Sequence, residues 1–498
     1  MSSDPLDQAK AHLDAGRLDE ALAISTPLAD ARDAPHRALA MQSTALKGLG
    51  RREDALAYDL RAVARYGASG VAWHNLAATL GDLGRGAEAV RAMNEAFLRG
   101  VDGALSWGVM ARAMCAAGDL DGAERAYQEA LKRAPGRVEA AAEYADVIWM
   151  RRGDLAAAQA VLDRAAHAGG DPAPLLLTKA KFYEAAGEPD KAADLLALAA
   201  ERLPDDPAIQ MAAGQAALER GRLDEAERLA LKAERMYPDA PGVLNQVAIV
   251  CLALGKPDVA LAKARKGLEL APDNQSLWGW AATAARAVGD PLYRELYDYD
   301  AMVRPYDIET PEGWPTLEAY LKDLAAALDR IHLYEQHPSS QSLRHGSQTL
   351  FRLTGSDDPA IQAFFRAIDA PIRRHIAHLG EGADPLRRRH AAGYRIEGAW
   401  SVRLKPGGFH KDHFHPEGWL SSAFYVETPD SALDSAEKQG WIRFGQPPFA
   451  TDPPLPAEHY VRPKPGRLVL FPSYMWHGTV PFTTDERRMT IAFDVVPA

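Results

Sequence analysis

Cysteine is scarce in this chain, with only Cys115 and Cys251 among 498 residues. Two thiols so far apart in the sequence cannot form a disulfide framework, so we expect the cytoplasm as the compartment. The first residues lack the basic start and apolar centre of a secretory signal. No apolar run approaches the ~20 residues that cross a bilayer. We therefore expect no association with a membrane.

Basic residues are outnumbered, with 57 Lys and Arg against 68 Asp and Glu, for a net charge of −11. Non-specific nucleic-acid binding requires clustered Lys and Arg to neutralise phosphates, so we expect no nucleic-acid partner. The 47% hydrophobic and 25% charged residues are typical of globular proteins. The length has room for several domains.

Glycine recurs with a fixed period before residue 300. Successive spacings are 34 residues, except one of 35, for Gly16, Gly50, Gly84, Gly118, Gly153, Gly187, Gly221, Gly255 and Gly289. An alanine follows nearly every one five residues later, and a proline follows several after 17 residues. A glycine permits the left-handed turn that ends one helix, a small alanine lets two helices approach, and a proline ends the second helix. This period therefore predicts stacked helix pairs.

The pattern resembles the tetratricopeptide repeat family. The resemblance implies about nine helix pairs in an all-α superhelix, with a groove that usually binds peptides or protein segments. One pair cannot bury its apolar face alone, so neighbouring pairs must stack. Arg294 replaces the expected alanine in the ninth unit, which we expect to cap the array. A passive spacer or a dimerisation arm is the alternative role for the array.

Three prolines interrupt the helical period between residues 301 and 315. A helix cannot continue through such a segment, which predicts a linker. We therefore predict a repeat domain at 1–300, the linker at 301–315 and a second domain at 316–498.

The second domain has a different sequence pattern, with both helical and alternating segments. Helical spacing of apolar residues predicts helices at 316–331 and 358–379, the first behind Thr316 as its N-cap. Short alternating runs between turn residues then predict strands of an antiparallel barrel or sandwich. These runs are residues 399–404, 419–427, 441–444, 467–471 and 488–496.

Histidines are concentrated in the second domain, where three of them and an aspartate lie within residues 410–415. Residues i and i+2 of a strand share a face, so His413 and His415 can point at one ion. His477 follows a later predicted strand and could close the site. Imidazole suits iron, zinc, copper and nickel, and a site with open positions is typical of catalysis.

The last predicted strand carries an arginine that could bind an anion. Arg488 and Thr490 share one face of this strand, eleven residues beyond His477. A guanidinium can bind a carboxylate bidentately, and the threonine adds a hydroxyl. Alternatively, Arg488 forms a structural ion pair with Glu486 or Asp494.

Four segments of this domain together resemble the 2-oxoglutarate- and Fe(II)-dependent oxygenases, and especially a bacterial subgroup with a His-x-His-Pro segment. They are His413-Phe-His-Pro416, Ser421-Ser-Ala-Phe-Tyr-Val426, Phe471-Pro-Ser-Tyr-Met-Trp-His477 and Arg488-Met-Thr-Ile-Ala-Phe493. The resemblance implies a double-stranded β-helix, or jelly roll, with flanking helices. It also implies that His413 and His477 ligate Fe(II) and that Arg488 and Thr490 hold the distal carboxylate of 2-oxoglutarate.

Two registers stay open for the pair of metal ligands that accompanies His477. His410-Lys-Asp412 fits the common pattern of a histidine followed by a carboxylate, whereas His413-Phe-His415 fits the subgroup. We favour His413 and His415 with His477, because the subgroup match continues into Pro416 and the following strand. Asp412 would then orient a ligand imidazole by contacting the ring nitrogen that does not bind the metal. His410 would lie at the rim of the pocket.

These observations predict a dioxygenase that hydroxylates a peptide, protein or carrier-bound substrate recruited by the repeats. One alternative is a tetratricopeptide binding scaffold whose barrel is inactive or senses metal. Another is a cupin-like metalloenzyme that does not use 2-oxoglutarate. Arg488 discriminates between them, because neither alternative needs an arginine at that position.

Overall fold

The computed structural model describes residues 4–349, 353–433 and 436–498. Helices follow one another through the repeat region, and partners within a repeat, such as the seventh and eighth helices, pack against each other. These helices are α1 (Pro5–Asp14), α2 (Leu18–Ala29), α3 (His36–Gly48), α4 (Arg52–Arg65), α5 (Gly70–Asp82), α6 (Gly86–Leu98), α7 (Ala104–Ala117), α8 (Leu120–Arg133), α9 (Val138–Arg152), α10 (Leu155–His167), α11 (Pro172–Ala185), α12 (Pro189–Arg202), α13 (Pro207–Glu219), α14 (Leu223–Met236), α15 (Pro241–Ala253), α16 (Pro257–Leu270), α17 (Gln275–Val288), α18 (Leu292–Leu296) and α19 (Tyr299–Met302).

The periodic glycines end the first helix of each repeat, as predicted. Gly118 after α7 and Gly289 after α17 adopt the left-handed conformation, with φ of 80° and 73°. Other residues adopt this conformation only with strain, so the glycine period sets the positions of the turns. The predicted tetratricopeptide array is confirmed. The second helix of its ninth unit, α18, is short, with only five residues.

The chain divides into two compact units. The first takes in the repeats up to Val147, and the second consists of Ile148–Ala166, Asp171–Thr349 and Asp357–Ala498. The second unit therefore joins the later repeats to the strands described below. The domain division at 301–315 stays a prediction. Part of that segment, Arg304–Asp307, forms a strand that pairs within a sheet.

The strands form two antiparallel sheets, which confirms the predicted jelly-roll class. The strands are β1 (Arg304–Asp307), β2 (Leu343–Gln348), β3 (Tyr394–His410), β4 (Leu420–Glu427), β5 (Ile442–Phe444), β6 (His459–Val461), β7 (Arg467–Pro472), β8 (His477–Thr479) and β9 (Arg488–Pro497). The larger sheet has the order β1-β7-β4-β9-β3-β2, and the smaller has the order β6-β5-β8. The accompanying helices are α20 (Leu317–Ile331), α21 (Pro359–Leu379) and α22 (Asp430–Leu433).

One face of the larger sheet is covered by a helix. The Asp358 carboxylate caps α21 by accepting from the Ala360 N–H at 2.9 Å. Phe364 of this helix packs on Phe424 of β4, with ring centroids 4.8 Å apart. It also contacts Phe493 of β9. Because side chains alternate along a strand, the intervening residues of β9 face the other side of the sheet, where the candidate site lies.

Among the described residues, no helix combines the length and apolarity that a membrane crossing requires.

His337 is a buried histidine that makes stability depend on pH. Its ring packs edge-on against Trp149, and neither ring nitrogen has a hydrogen-bond partner among the described residues. Burial lowers the pKa of His337 to about 4. Below the ordinary histidine pKa the unfolded chain takes up a proton that the folded chain does not, so the wild type loses stability as the pH falls.

We expect His337→Phe to remove this loss, which amounts to roughly 2 kcal/mol between pH 7 and pH 5. Urea denaturation at both pH values measures it. An equal pH dependence in His337→Phe and wild type would contradict the expectation.

Candidate metal centre

Three imidazoles meet at the start of β8. His413, His415 and His477 each place one ring nitrogen within 4.8 Å of those of the other two. His413 and His477 also form an isolated antiparallel bridge, in which each N–H donates to the carbonyl of the other at 2.9 Å. The N–H of His415 donates to the carbonyl of Ser473 at 2.8 Å. Backbone hydrogen bonds therefore fix the two histidine-bearing segments against each other.

The Nδ1 atom of each ring lies against an acceptor. In His413 and His477 the acceptor is the carbonyl of the residue two positions earlier, at 2.7 Å and 3.0 Å. In His415 it is the Asp494 carboxylate, at 2.6 Å. We infer from these acceptors that Nδ1 carries the proton and that Nε2 presents a lone pair. Such outer acceptors orient metal-ligating imidazoles and raise their basicity.

The rings differ in their affinity for protons. Burial lowers the pKa of His413 to about 3 and holds the pKa of His477 well below its ordinary value. Burial also acts to lower the pKa of His415, but the Asp494 carboxylate outweighs it and the pKa is raised. Neutral imidazole is the form that binds metal, so His413 and His477 are held in that form.

The carboxylate of the alternative register lies in an ion pair. Both oxygens of Asp412 accept from the Arg443 guanidinium, at 2.9 Å and 2.6 Å. Asp412 therefore pairs with Arg443 rather than with a ligand imidazole, which differs from the expectation from the sequence. Asp494 provides that contact instead, at His415.

A cavity of about 60 Å³ lies in front of the three histidines. His410 lines it, with Nδ1 lying 3.0 Å from the Ser342 hydroxyl. The same hydroxyl lies 3.1 Å from Nε2 of His413. Trp400 of β3 forms another part of the wall, and its ring centroid is 5.9 Å from that of His415.

The strand β9 contributes a buried cation to the cavity. Arg488 is 3% exposed, and burial lowers its pKa. Its guanidinium lies 5.2 Å from the centroid of the Tyr425 ring, and its Nε has no hydrogen-bond partner among the described residues. Thr490, also buried, lines the cavity from the same strand. A buried guanidinium with an unsatisfied donor is a favourable place for a carboxylate.

The contacts of two residues with the histidines were not predicted from the sequence. Asp494 continues the alternation of Arg488 and Thr490 along β9, and extending that pattern would have found it. Its carboxylate also accepts from the Ser421 hydroxyl at 2.7 Å, which holds it in place. Ser342 opens a polar segment at 342–349 that the sequence marks as a loop near the pocket, but strand β2 and the contact of Ser342 with His410 and His413 were not predicted.

Both the repeat region and the C-terminal strands match known protein families. Residues 398–494 match a family described as "Putative 2OG-Fe(II) oxygenase". Tetratricopeptide repeat families match residues 109–173 and 177–241, and also 6–24 and 70–95. No curated protein is significantly similar to the chain in sequence.

Similar solved structures include tetratricopeptide repeat proteins. The APC/C hetero-tetramer Cut9-Hcn1 matches at 17% identity over 57% of this chain and 56% of that chain, with a TM-score of 0.33. A repeat protein from Parabacteroides merdae matches at 15% identity over 49% of this chain and 97% of that chain, with a TM-score of 0.34. YrrB, described as having an unusual peptide-binding site, matches at 18% identity over 38% and 96%, with a TM-score of 0.27.

This chain thus spans little more than half of the first of these proteins. The family matches and the two antiparallel sheets together indicate tetratricopeptide repeats followed by a region, residues 398–494, that is similar to the family described as putative 2OG-Fe(II) oxygenases.

Proposed function

We propose that this protein is a 2-oxoglutarate- and Fe(II)-dependent dioxygenase that hydroxylates a peptide, protein or carrier-bound substrate. The observation that carries the proposal is one cavity lined by three clustered imidazoles and by a buried arginine with an unsatisfied Nε. A scaffold with an inactive barrel needs neither group, and a scaffold whose barrel senses metal needs only the imidazoles. A metalloenzyme without 2-oxoglutarate needs the imidazoles but not the arginine.

His413, His415 and His477 would hold the iron through Nε2. Imidazole nitrogen suits Fe(II), and three protein ligands leave positions for further ligands. The acceptors at each Nδ1 keep the rings turned toward one point, which reduces the entropy lost when they bind an ion. Fe(II) with 2-oxoglutarate supplies the oxidative chemistry that hydroxylates a C–H bond.

Arg488 and Thr490 would hold the distal carboxylate of 2-oxoglutarate. A guanidinium fork can donate two parallel hydrogen bonds to a carboxylate, and the threonine hydroxyl can donate a third. The aromatic ring of Tyr425 supports the guanidinium from one side. Because little water reaches this arginine, its attraction for an anion is weakly screened.

The repeat array would recruit the substrate. Tetratricopeptide repeats generally bind proteins or peptides, and stacked helix pairs offer an extended surface for this purpose. We therefore propose a protein or peptide partner and, on the sequence grounds given above, a cytoplasmic location.

A thermal-shift experiment without oxygen tests the proposal. Fe(II) should raise the melting temperature, and 2-oxoglutarate should raise it further only when metal is present. Each ligand at a hundred times its dissociation constant would stabilise the folded chain by about 2.7 kcal/mol. A melting temperature unchanged by both ligands would contradict the proposal.

Asp494→Asn tests the orientation of His415. The substitution replaces a charged acceptor by an amide, so we expect Fe(II) affinity to fall by about 10–100-fold. Anaerobic titration calorimetry measures the affinity. Asp412→Asn is the matched control, because that carboxylate pairs with Arg443, and it should bind Fe(II) nearly as the wild type does. A larger loss in Asp412→Asn than in Asp494→Asn would favour the His410 and Asp412 register instead.

A further inference from the structure

Aromatic side chains adjoining the histidines pack on a helix of the repeat array. Phe414 lies between His413 and His415 in the sequence, and Trp476 directly precedes His477. The rings of Phe414 and Trp476 meet edge to face, with centroids 4.5 Å apart. Trp280 of α17 in turn packs on Trp476, with centroids 4.6 Å apart. Each histidine-bearing segment is thus in contact with this aromatic layer.

Two closer contacts set the distance between α17 and the histidine segments. The buried Trp476 donates from Nε1 to the hydroxyl of buried Thr283 at 2.8 Å. A Cβ placed on Gly279 would lie 3.1 Å from the Tyr474 carbonyl oxygen and 3.4 Å from the Phe414 ring. A residue larger than glycine would therefore push against both segments.

The turn before His477 is also held by residues that follow α17. The Tyr297 hydroxyl accepts from the backbone N–H of Trp476 at 2.9 Å. The Tyr474 hydroxyl donates to the Leu296 carbonyl at 3.0 Å. The Ser473 carbonyl in this same turn accepts from the N–H of His415. The position of this turn therefore affects two of the three imidazoles.

We propose that helix α17 is the outer support of the metal centre and that Gly279, Trp280 and Thr283 are positioning residues for its histidines. Both parts lie in the second compact unit. The proposal rests on the proposed metal site and adds a role for the repeats beyond substrate recruitment. Metal ligands must be held closely to their productive geometry by packed side chains and hydrogen bonds, and α17 supplies both.

Gly279→Leu tests this role, with Gly108→Leu as the matched control. Gly108 lies ten residues before the glycine that ends α7, as Gly279 lies ten before the glycine that ends α17. The nearest atom that a Cβ on Gly108 would meet is Nη1 of Arg112, at 3.9 Å. Leucine favours helix at both positions, and close contact with the histidine segments is expected only at Gly279.

The measurement is Co(II) binding to the full chain, followed by visible absorption and accompanied by circular dichroism. We expect Gly279→Leu to lower Co(II) affinity by about tenfold or more and to alter the Co(II) spectrum. Gly108→Leu should keep the affinity and spectrum of the wild type. Equal losses in the two glycine variants would overturn the proposal, because they would indicate general destabilisation.

Thr283→Val decides the question if Gly279→Leu does not fold. It keeps the shape of the side chain and removes the acceptor of the Trp476 indole, so we expect a smaller but clear loss of Co(II) affinity. Wild-type affinity and spectrum in Thr283→Val would overturn the role of α17 while leaving the metal site in place. A wild-type protein that binds no Co(II) would overturn the metal site itself, and the role of α17 with it.

Discussion

Replacing His477 with alanine is expected to lower the affinity for Fe(II) by more than about a hundredfold. His477 provides the imidazole that comes from a separate strand, whereas His413 and His415 belong to one segment. Its loss removes a ligand rather than a group that orients one, so the effect should exceed the 10–100-fold loss typical of orienting groups. The backbone bridge to His413 does not use the side chain and should survive.

Anaerobic titration calorimetry with Fe(II) measures this loss. His337→Phe is a suitable control, because it removes a buried histidine that does not line the cavity, and it should bind Fe(II) as the wild type does. Wild-type affinity in His477→Ala would show that the three histidines do not form the site.

Replacing Arg488 with alanine is expected to weaken 2-oxoglutarate binding by about a hundredfold, or ~3 kcal/mol, while Fe(II) binding is retained. The guanidinium is buried and has an unsatisfied Nε, so its pairing with a carboxylate would take place with little competition from water. Arg488→Lys keeps the charge but loses the fork, and we expect an intermediate affinity.

Binding of 2-oxoglutarate to the iron-loaded protein without oxygen measures the effect. Arg487→Ala is the matched control, because the neighbouring arginine is exposed and pairs with Asp329 and Glu427. It should leave 2-oxoglutarate affinity near that of the wild type. If Arg488→Ala also binds normally, the scaffold and the cupin-like enzyme become the better explanations.

The repeats were predictable because the same turn, with its need for glycine, recurs at a fixed spacing. Each turn needs a residue that tolerates positive φ, and glycine meets that need at a fixed period. The helices of the second domain were predictable for a similar reason. Thr316 and Asp358 are N-caps whose side chains satisfy backbone donors, and such caps are visible in sequence.

Several strands were not predicted, because their pairing depends on distant segments. Strand β1 lies in the proline-rich segment and includes Pro305, which is tolerated because β1 is at the edge of the sheet. Strands β6 and β8 have only three residues each. Their pairing with β5 defines both strands, and this pairing with a distant segment is not visible in the sequence.

Strand alternation holds for one part of the candidate site, because Arg488 and Thr490 lie in β9, whereas His413 and His415 lie in the segment between β3 and β4. The sequence pattern grouped His413 with His415 and Arg488 with Thr490, and these residues line one cavity. It could not reveal the partner of Asp412, because Arg443 lies 31 residues away in the chain and approaches only in the folded protein. The assignment of the three histidines as metal ligands, and of Arg488 and Thr490 as the anchor for 2-oxoglutarate, remains a prediction for the experiments above.

Conversion of 2-oxoglutarate to succinate tests the central claim most directly. The purified chain, given Fe(II), 2-oxoglutarate and air, should release succinate slowly even without substrate. This release should be lost in His477→Ala and Arg488→Ala and kept in Arg487→Ala. A wild-type chain that releases no succinate and is stabilised by neither ligand would contradict the assignment as an oxygenase.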